Sequence, residues 1–175
     1  QPWYGKNWRD ESLISETEWI KEMAEKGTFI YIIHSWTKFF SCTGLRYGSL
    51  ICPTNKISNA IKSKKIPWSV NILALKYIDK CIKDDSYMKK TWDETKKLRS
   101  YQIDTIKNLF PNWKIYGKDF LSWIWIDTCD CNLADIIYDV CKFNGTPIRH
   151  GKFGYNKPTY IRIAVRERQY FDKLI

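Results

Sequence analysis

A short apolar run followed by a cluster of polar side chains places the strongest constraint on the fold of this 175-residue chain. Residues Thr28 to Ile33 form a continuous stretch of β-branched and aromatic side chains, which predicts a buried strand. Ser35, Thr37 and Lys38 follow it closely. In open α/β sheets, ligands collect at the carboxyl ends of strands. The sequence therefore predicts an α/β fold with a ligand site just after this strand.

The polar side chains after the strand have complementary chemistry. The Lys38 amine can condense with an aldehyde, whereas the hydroxyls of Ser35 and Thr37 and the guanidinium of Arg46 suit a phosphate. A solvated lysine at an ordinary strand-to-loop junction is the alternative interpretation. Two glycines in the same stretch leave room for the backbone to approach a bound anion closely. They are Gly44 and Gly48.

Residues 34–48 resemble the Schiff-base lysine segment of the fold-type I aminotransferases, a family that uses pyridoxal 5'-phosphate (PLP). In that family the lysine carries the cofactor, and a serine three residues before it and an arginine eight residues after it hold the cofactor phosphate. The resemblance implies that Lys38 is catalytic and that Ser35, Thr37, Lys38 and Arg46 bind the cofactor. It is not complete, because bulkier or more polar residues replace the usual ones at Trp36, Cys42 and Tyr47.

Later segments carry the same resemblance. Ile66 to Ala74 is similar to the segment after the lysine in histidinol-phosphate aminotransferases and threonine-phosphate decarboxylases. Thr146 to Arg149 and Tyr160 to Arg166 are similar to their closing segments. In those relatives an arginine of the closing strand binds the substrate α-carboxylate, which implies this role for Arg162; a guanidinium can grip a planar carboxylate with two hydrogen bonds. Arg149 is a second, weaker substrate-binding candidate, which could meet a substrate phosphate.

The resemblance covers nearly the whole chain but only the carboxyl-terminal half of a family member. It implies that residues 1–85 end the large cofactor-binding α/β domain, that residues 86–110 form a connecting helix, and that residues 111–175 form a small α+β domain. The glycine-rich phosphate loop, ring-stacking aromatic residue and pyridinium-binding aspartate of the family are not identified here, and the chain begins at Gln1. We therefore expect activity in a homodimeric parent enzyme, and at most a weak adduct between PLP and the isolated chain.

Periodicity and capping residues predict the remaining elements. The spacing of Ser15 and Glu18 is that of a capping box, and Gly27 suits the end of the same helix. Asn132 and Gly145 are the predicted cap and end of a later helix. Further helices are predicted at residues 55–64, 86–110 and 167–174, and strands at residues 45–52, 114–116, 121–126, 146–149 and 159–165.

Composition restricts the partners and the compartment. The net charge of +10 permits attraction to nucleic acid, but basic residues such as Lys96, Lys97 and Arg99 lie in helical patterns and are predicted to form solvated faces. No nucleic-acid partner is expected. No stretch of about 18 apolar residues indicates a membrane span, and six scattered cysteines favour a reducing, cytoplasmic compartment. Cys129 and Cys131 lack the second pair that a metal site requires.

Three functions remain open at this stage. The leading hypothesis is transfer of an amino group between an amino acid, or a phosphorylated amino compound, and a 2-oxo acid. A threonine-phosphate-type decarboxylation is the second hypothesis, because local similarity does not decide which substrate bond breaks. The third is a non-catalytic basic interaction module.

Overall fold

The computed structural model describes residues 13–175, and this part of the chain is mixed helix and strand, as the α/β prediction requires. It divides into two compact units, one ending at Lys89 and the other beginning at Lys90. In the described residues no helix is both long and apolar enough to cross a membrane.

The elements follow one another in this order. The first unit contains α1 (Thr17–Glu25), β1 (Ile32–Ser35), a 3-10 turn (Thr43–Leu45), β2 (Gly48–Ile51), α2 (Asn55–Ser63) and α3 (Ile72–Cys81). The long helix α4 (Asp85–Leu109) begins there and continues into the second unit, confirming the predicted long helix. The second unit adds β3 (Lys114–Tyr116), β4 (Trp123–Asp127), α5 (Cys131–Phe143), β5 (Arg149–His150), α6 (Lys152–Tyr155), β6 (Tyr160–Ala164) and α7 (Arg168–Phe171).

The first strand differs from its prediction. β1 spans residues 32–35 rather than 28–33, and it pairs antiparallel with β2 in a two-stranded sheet. Ile33 is 84% exposed, and Phe29 and Tyr31 are exposed as well. A continuous apolar run is typical of a strand covered on both faces. In the described part of the chain, this sheet contains only β1 and β2.

Two helices have a different amino-terminal cap in the structure from the one that was predicted. The amino-terminal cap of α1 is Glu16, so the predicted capping box is wrong, although Gly27 follows the helix with φ +83° as predicted. In α5 the cap is Asp130 rather than Asn132, and its carboxylate accepts hydrogen bonds from the backbone N–H groups of Asn132 and Leu133 at 2.8 and 3.1 Å. Aspartate and asparagine are almost equally good amino-terminal caps, so the sequence alone does not show which of Asp130 and Asn132 caps α5.

A four-stranded antiparallel sheet with the order β3-β4-β6-β5 organises the second unit. Successive side chains of a strand point to opposite faces. One face therefore carries a set of fully or nearly fully buried isoleucines that packs against residues of α4, α5 and α7. This core comprises Ile106, Ile124, Ile126, Ala134, Ile161, Ile163 and Phe171.

Arg99 is buried rather than solvated, contrary to its prediction. Its side chain lies within the second unit and is 2% exposed. The guanidinium donates to the backbone oxygens of Trp123 at 2.5 Å, Gly117 at 3.2 Å and Tyr116 at 3.3 Å. These acceptors lie on β3, on β4 and in the turn between them. Arg99 thus ties α4 to the β3–β4 hairpin with charge-assisted hydrogen bonds.

Gly48 is required by a close approach between β1 and β2. A Cβ atom at this position would lie 2.9 Å from the backbone oxygen of His34. We expect Gly48→Ala to destabilise the chain by about 1–3 kcal/mol, the usual range for overpacking, as measured by chemical unfolding. Gly44→Ala is the matched control, since a Cβ there has no heavy atom within 4 Å. Equal effects of the two substitutions would contradict this explanation.

Candidate functional site

Ser35, Thr37 and Lys38 lie where β1 ends and the following turn begins. Ser35 is the last residue of β1, as the sequence predicted for the carboxyl end of a strand. Its hydroxyl lies 3.1 Å from the hydroxyl of Thr37. Thr37 is buried, with 4% of its surface exposed, whereas Lys38 is exposed. The lysine side chain is therefore exposed, and it follows directly after the residue whose hydroxyl is bonded to that of Ser35.

Arg46 lies at the same end of the β1–β2 pair. Ser35 is paired with Gly48 across the two strands, and Arg46 is two residues before Gly48. Its backbone is left-handed, with φ +50°, and its guanidinium donates to the backbone oxygen of Thr43 at 2.9 Å. The antiparallel pairing thus places the chain segments that carry an amine, two hydroxyls and a guanidinium at one end of the sheet. This donor set fits a ligand with an aldehyde and a phosphate, such as PLP.

The turn that follows Lys38 is held by side chains that the sequence analysis did not identify. The Tyr77 hydroxyl, on α3, donates to the backbone oxygen of Phe40 at 3.0 Å. The Tyr87 hydroxyl, on α4, donates to that of Phe39 at 2.9 Å. A tyrosine in an amphipathic helix gives no sequence signal for such a bond, because its acceptor is a distant backbone atom.

The surroundings of β1 are aromatic and partly desolvated. The Trp36 indole donates to the hydroxyl of Ser49 at 2.9 Å, which joins the turn to β2. The rings of His34 and Trp36 are 4.7 Å apart. Burial lowers the pKa of His34, which keeps its imidazole neutral at pH 7.

The two predicted substrate-binding arginines are direct neighbours in the second unit. Arg149 on β5 is paired with Arg162 on β6. Directly paired residues of antiparallel strands point to the same face of a sheet. Like charges in this arrangement repel each other, and an anion bound between them would offset that repulsion. The pair is therefore suited to a carboxylate or a phosphate.

Aromatic residues surround Arg162. Its guanidinium donates to the Tyr155 hydroxyl at 3.0 Å and lies 5.8 Å from the centre of the Trp123 ring. In the part of the chain that the structure describes, no carboxylate forms an ion pair with Arg162. β6 is also an internal strand of the sheet. The guanidinium is oriented by neutral groups, which leaves its charge available for an anionic ligand.

The predicted residues are divided between the two units of the described structure. Ser35, Thr37, Lys38 and Arg46 form one set in the first unit, and Arg149 and Arg162 form the other in the second unit.

Comparison with known proteins gives an aminotransferase and a decarboxylase among the relatives. No protein-family model matches the sequence. The chain is 24% identical over 155 residues to histidinol-phosphate aminotransferase 2 of Archaeoglobus fulgidus, which covers 88% of this chain and 43% of that protein. It is 32% identical over 63 residues to the threonine-phosphate decarboxylase of Salmonella typhimurium, covering 36% of this chain and 17% of that protein. The chain thus spans less than half the length of these relatives.

A solved structure shows the same fold. The histidinol-phosphate aminotransferase of Clostridium acetobutylicum matches with a TM-score of 0.73 at 22% identity, over 94% of this chain and 47% of that protein. In sequence and in fold, the chain therefore matches the carboxyl-terminal part of the fold-type I pyridoxal-phosphate-dependent aminotransferases.

Proposed function

We propose that the protein carrying this sequence is a PLP-dependent aminotransferase that acts on an amino acid or a phosphorylated amino compound and a 2-oxo acid. The observation that supports the proposal is that the segments carrying Ser35, Thr37, Lys38 and Arg46 meet at one end of the β1–β2 pair, with the hydroxyls of Ser35 and Thr37 in contact. The names and the fold of the relatives support it. As in the family resemblance, we propose that the working enzyme is a homodimer.

Each residue has a distinct role in this proposal. Lys38 binds the cofactor aldehyde through its amine and moves the proton of the substrate α-carbon. Ser35, Thr37 and Arg46 hold the cofactor phosphate, and the buried Thr37 orients the hydroxyl of Ser35 through their hydrogen bond. Arg162 binds the substrate carboxylate, and Arg149 adds positive charge beside it. PLP, when bound, supplies the electron sink.

The proposal is tested in the complete protein that carries this chain. Purified protein is mixed with PLP, a panel of amino donors and a 2-oxo acid, and the new amino acid is quantified. Formation of the product amino acid, dependent on PLP, supports the proposal. The absence of any PLP-dependent turnover across donors with and without a phosphate would refute it.

A decarboxylase is the second candidate, because a 63-residue part of the chain is 32% identical to a threonine-phosphate decarboxylase. The same residues could serve either reaction, since an amine, a phosphate grip and a carboxylate clamp are common to both. The reactions differ in their products. Release of carbon dioxide from a phosphorylated amino acid, without transfer of its amino group, would favour this candidate.

The cofactor phosphate grip makes a separate prediction. Arg46→Ala should weaken PLP binding by about 1.5–3 kcal/mol, or roughly ten- to a hundredfold, because it removes charge-assisted hydrogen bonds to the phosphate. Titration of the protein with PLP, followed by absorbance, measures the change. Lys56→Ala is the control, since it removes an exposed cation from α2 in the same unit. Unchanged affinity in a folded Arg46→Ala variant would remove Arg46 from the site.

A further inference from the structure

We infer that Tyr77 and Tyr87 are positioning residues for Lys38. Their hydroxyl groups fix the turn that presents the lysine amine to the cofactor. This inference rests on the proposed function and adds two residues to its site. Neither tyrosine needs to touch the cofactor, because both act through the backbone of the two residues that follow Lys38.

The two tyrosines bind consecutive carbonyl groups from different helices. Tyr77 on α3 donates to Phe40, and Tyr87 on α4 donates to Phe39, at 3.0 and 2.9 Å. They are 37 and 48 residues away from their acceptors, so the bonds form only when the unit is folded. A hydrogen bond with Cys81, together with burial, raises the pKa of Tyr77, which keeps its hydroxyl protonated and able to donate at neutral pH.

The turn also has backbone hydrogen bonds of its own. They run from the N–H groups of Phe40, Ser41 and Cys42 to the oxygens of Trp36, Lys38 and Thr37, at 3.3, 3.2 and 2.9 Å respectively. Ser41 has φ +50°, a left-handed conformation that costs a non-glycine residue free energy. Such a conformation persists where the surrounding structure holds it. The carbonyls of Phe39 and Phe40 lie directly between Lys38 and this strained residue.

Aromatic packing supports the same arrangement. Phe39 and Phe40 are buried and stand edge to face, with ring centres 5.0 Å apart. The Tyr87 ring lies 5.9 Å from Phe39 and 5.8 Å from Phe40. Thr37 before the lysine is also buried, whereas Lys38 is exposed. The backbone is thus fixed on both sides of Lys38 while its side chain remains accessible.

This restraint matters for the chemistry of Lys38. Its amine has to meet an aldehyde carbon whose place is set by the phosphate grip, and a misplacement of about 1 Å can cost a hundredfold in rate. Before the lysine, the hydroxyls of Ser35 and Thr37 are in contact, and the backbone oxygen of Thr37 accepts from Cys42 N–H. Tyr77 and Tyr87 fix it afterwards, so the distance between the amine and the phosphate grip becomes a property of the folded unit.

The test uses Tyr77→Phe, Tyr87→Phe and the double variant in the 175-residue chain. These changes remove only the hydroxyl groups and keep the rings. The protein is treated with PLP at 4 °C and reduced with borohydride, and mass spectrometry measures the share of label on Lys38 relative to all other lysines. Thermal unfolding is measured in parallel. Tyr170→Phe, which removes an exposed hydroxyl from the second unit, is the control.

We expect each single variant to lower the Lys38 share about two- to tenfold, the range for a lost hydrogen bond, and the control to leave it unchanged. Labelling is compared only among variants that melt well above 4 °C, so that nearly all molecules are folded during the reaction and a moderate loss of stability does not lower the Lys38 share. If both single variants keep the wild-type Lys38 share, even with lower melting temperatures, the tyrosines are structural and the inference is wrong. If the wild-type chain shows no preference for Lys38, the proposed role of Lys38 fails, and the inference fails with it.

Discussion

Lys38→Ala should abolish the borohydride-reducible PLP adduct and lower the turnover of the complete protein by about a hundred- to ten-thousandfold, the usual contribution of an acid–base group. Two losses combine in this variant. On the proposed function, the cofactor would lose its covalent attachment, and the substrate α-carbon would lose the amine that moves its proton. The accessible position of Lys38 beside the Ser35–Thr37 hydroxyl pair is the structural basis of this expectation.

Lys38→Arg tests whether the positive charge of Lys38 is sufficient for activity or whether its amine has to react with the aldehyde. Arginine keeps the positive charge at this position. Because its guanidinium stays protonated at neutral pH, it does not condense with the aldehyde of PLP. We expect this variant to be as inactive as Lys38→Ala while it unfolds at the wild-type temperature. Spectrophotometric assay of the product amino acid checks the result. Substantial turnover by Lys38→Arg would mean that Lys38 is an electrostatic residue and that covalent attachment occurs elsewhere.

Arg162 is expected to dominate recognition of the substrate carboxylate. Arg162→Lys should lower kcat/KM by about ten- to a hundredfold, because lysine keeps the charge but loses the two-pronged hydrogen bond. Arg162→Ala should lower it by about a hundred- to a thousandfold, comparable to the loss of one preorganised donor to a charged group. The visible absorbance of bound PLP should stay normal in both variants, since Arg162 is not part of the phosphate grip.

The control for Arg162 lies in the substrate rather than in the protein. An amine that lacks the carboxylate gains nothing from the guanidinium, so its conversion should be nearly the same in wild type and in the Arg162 variants. Steady-state kinetics with matched pairs of amino acids and their decarboxylated analogues make the comparison. Equal losses for both members of a pair would exclude the carboxylate role, and Arg149, its neighbour on β5, would be tested next.

The local arrangement of the lysine segment could be predicted from the sequence because it depends on short spacings. Ser35 ends a strand as predicted, Thr37 and Lys38 follow it within three residues, and the β1–β2 pairing brings the segment with Arg46 to the same end of the sheet. The chemical roles of these residues stay predictions. The long helix α4 was predicted nearly to its ends, since 25 residues of helical sequence precede the helix-ending Pro111.

Interactions between distant residues could not be predicted in this way. Arg99 was assigned to a solvated face because its neighbours are charged, but its carbonyl acceptors lie 17 to 24 residues away and become partners only in the folded unit. The hydrogen bonds of Tyr77 and Tyr87 are longer-range still. A pattern of apolar residues predicts which face of a helix or strand is buried. It does not predict which backbone oxygen will accept a hydrogen bond from a polar side chain on that face.

The exposed strand pair also has a consequence for how the chain behaves at high concentration. Ile33 and Leu50 are directly paired across β1 and β2, and they are 84% and 42% exposed. The outer edges of a two-stranded sheet carry backbone groups that can pair with another molecule. At low ionic strength the net charge of +10 keeps copies of the chain apart. At about 1 M salt the screening length falls to roughly 3 Å, so the ionic strength of the buffer sets how long the chain stays dispersed.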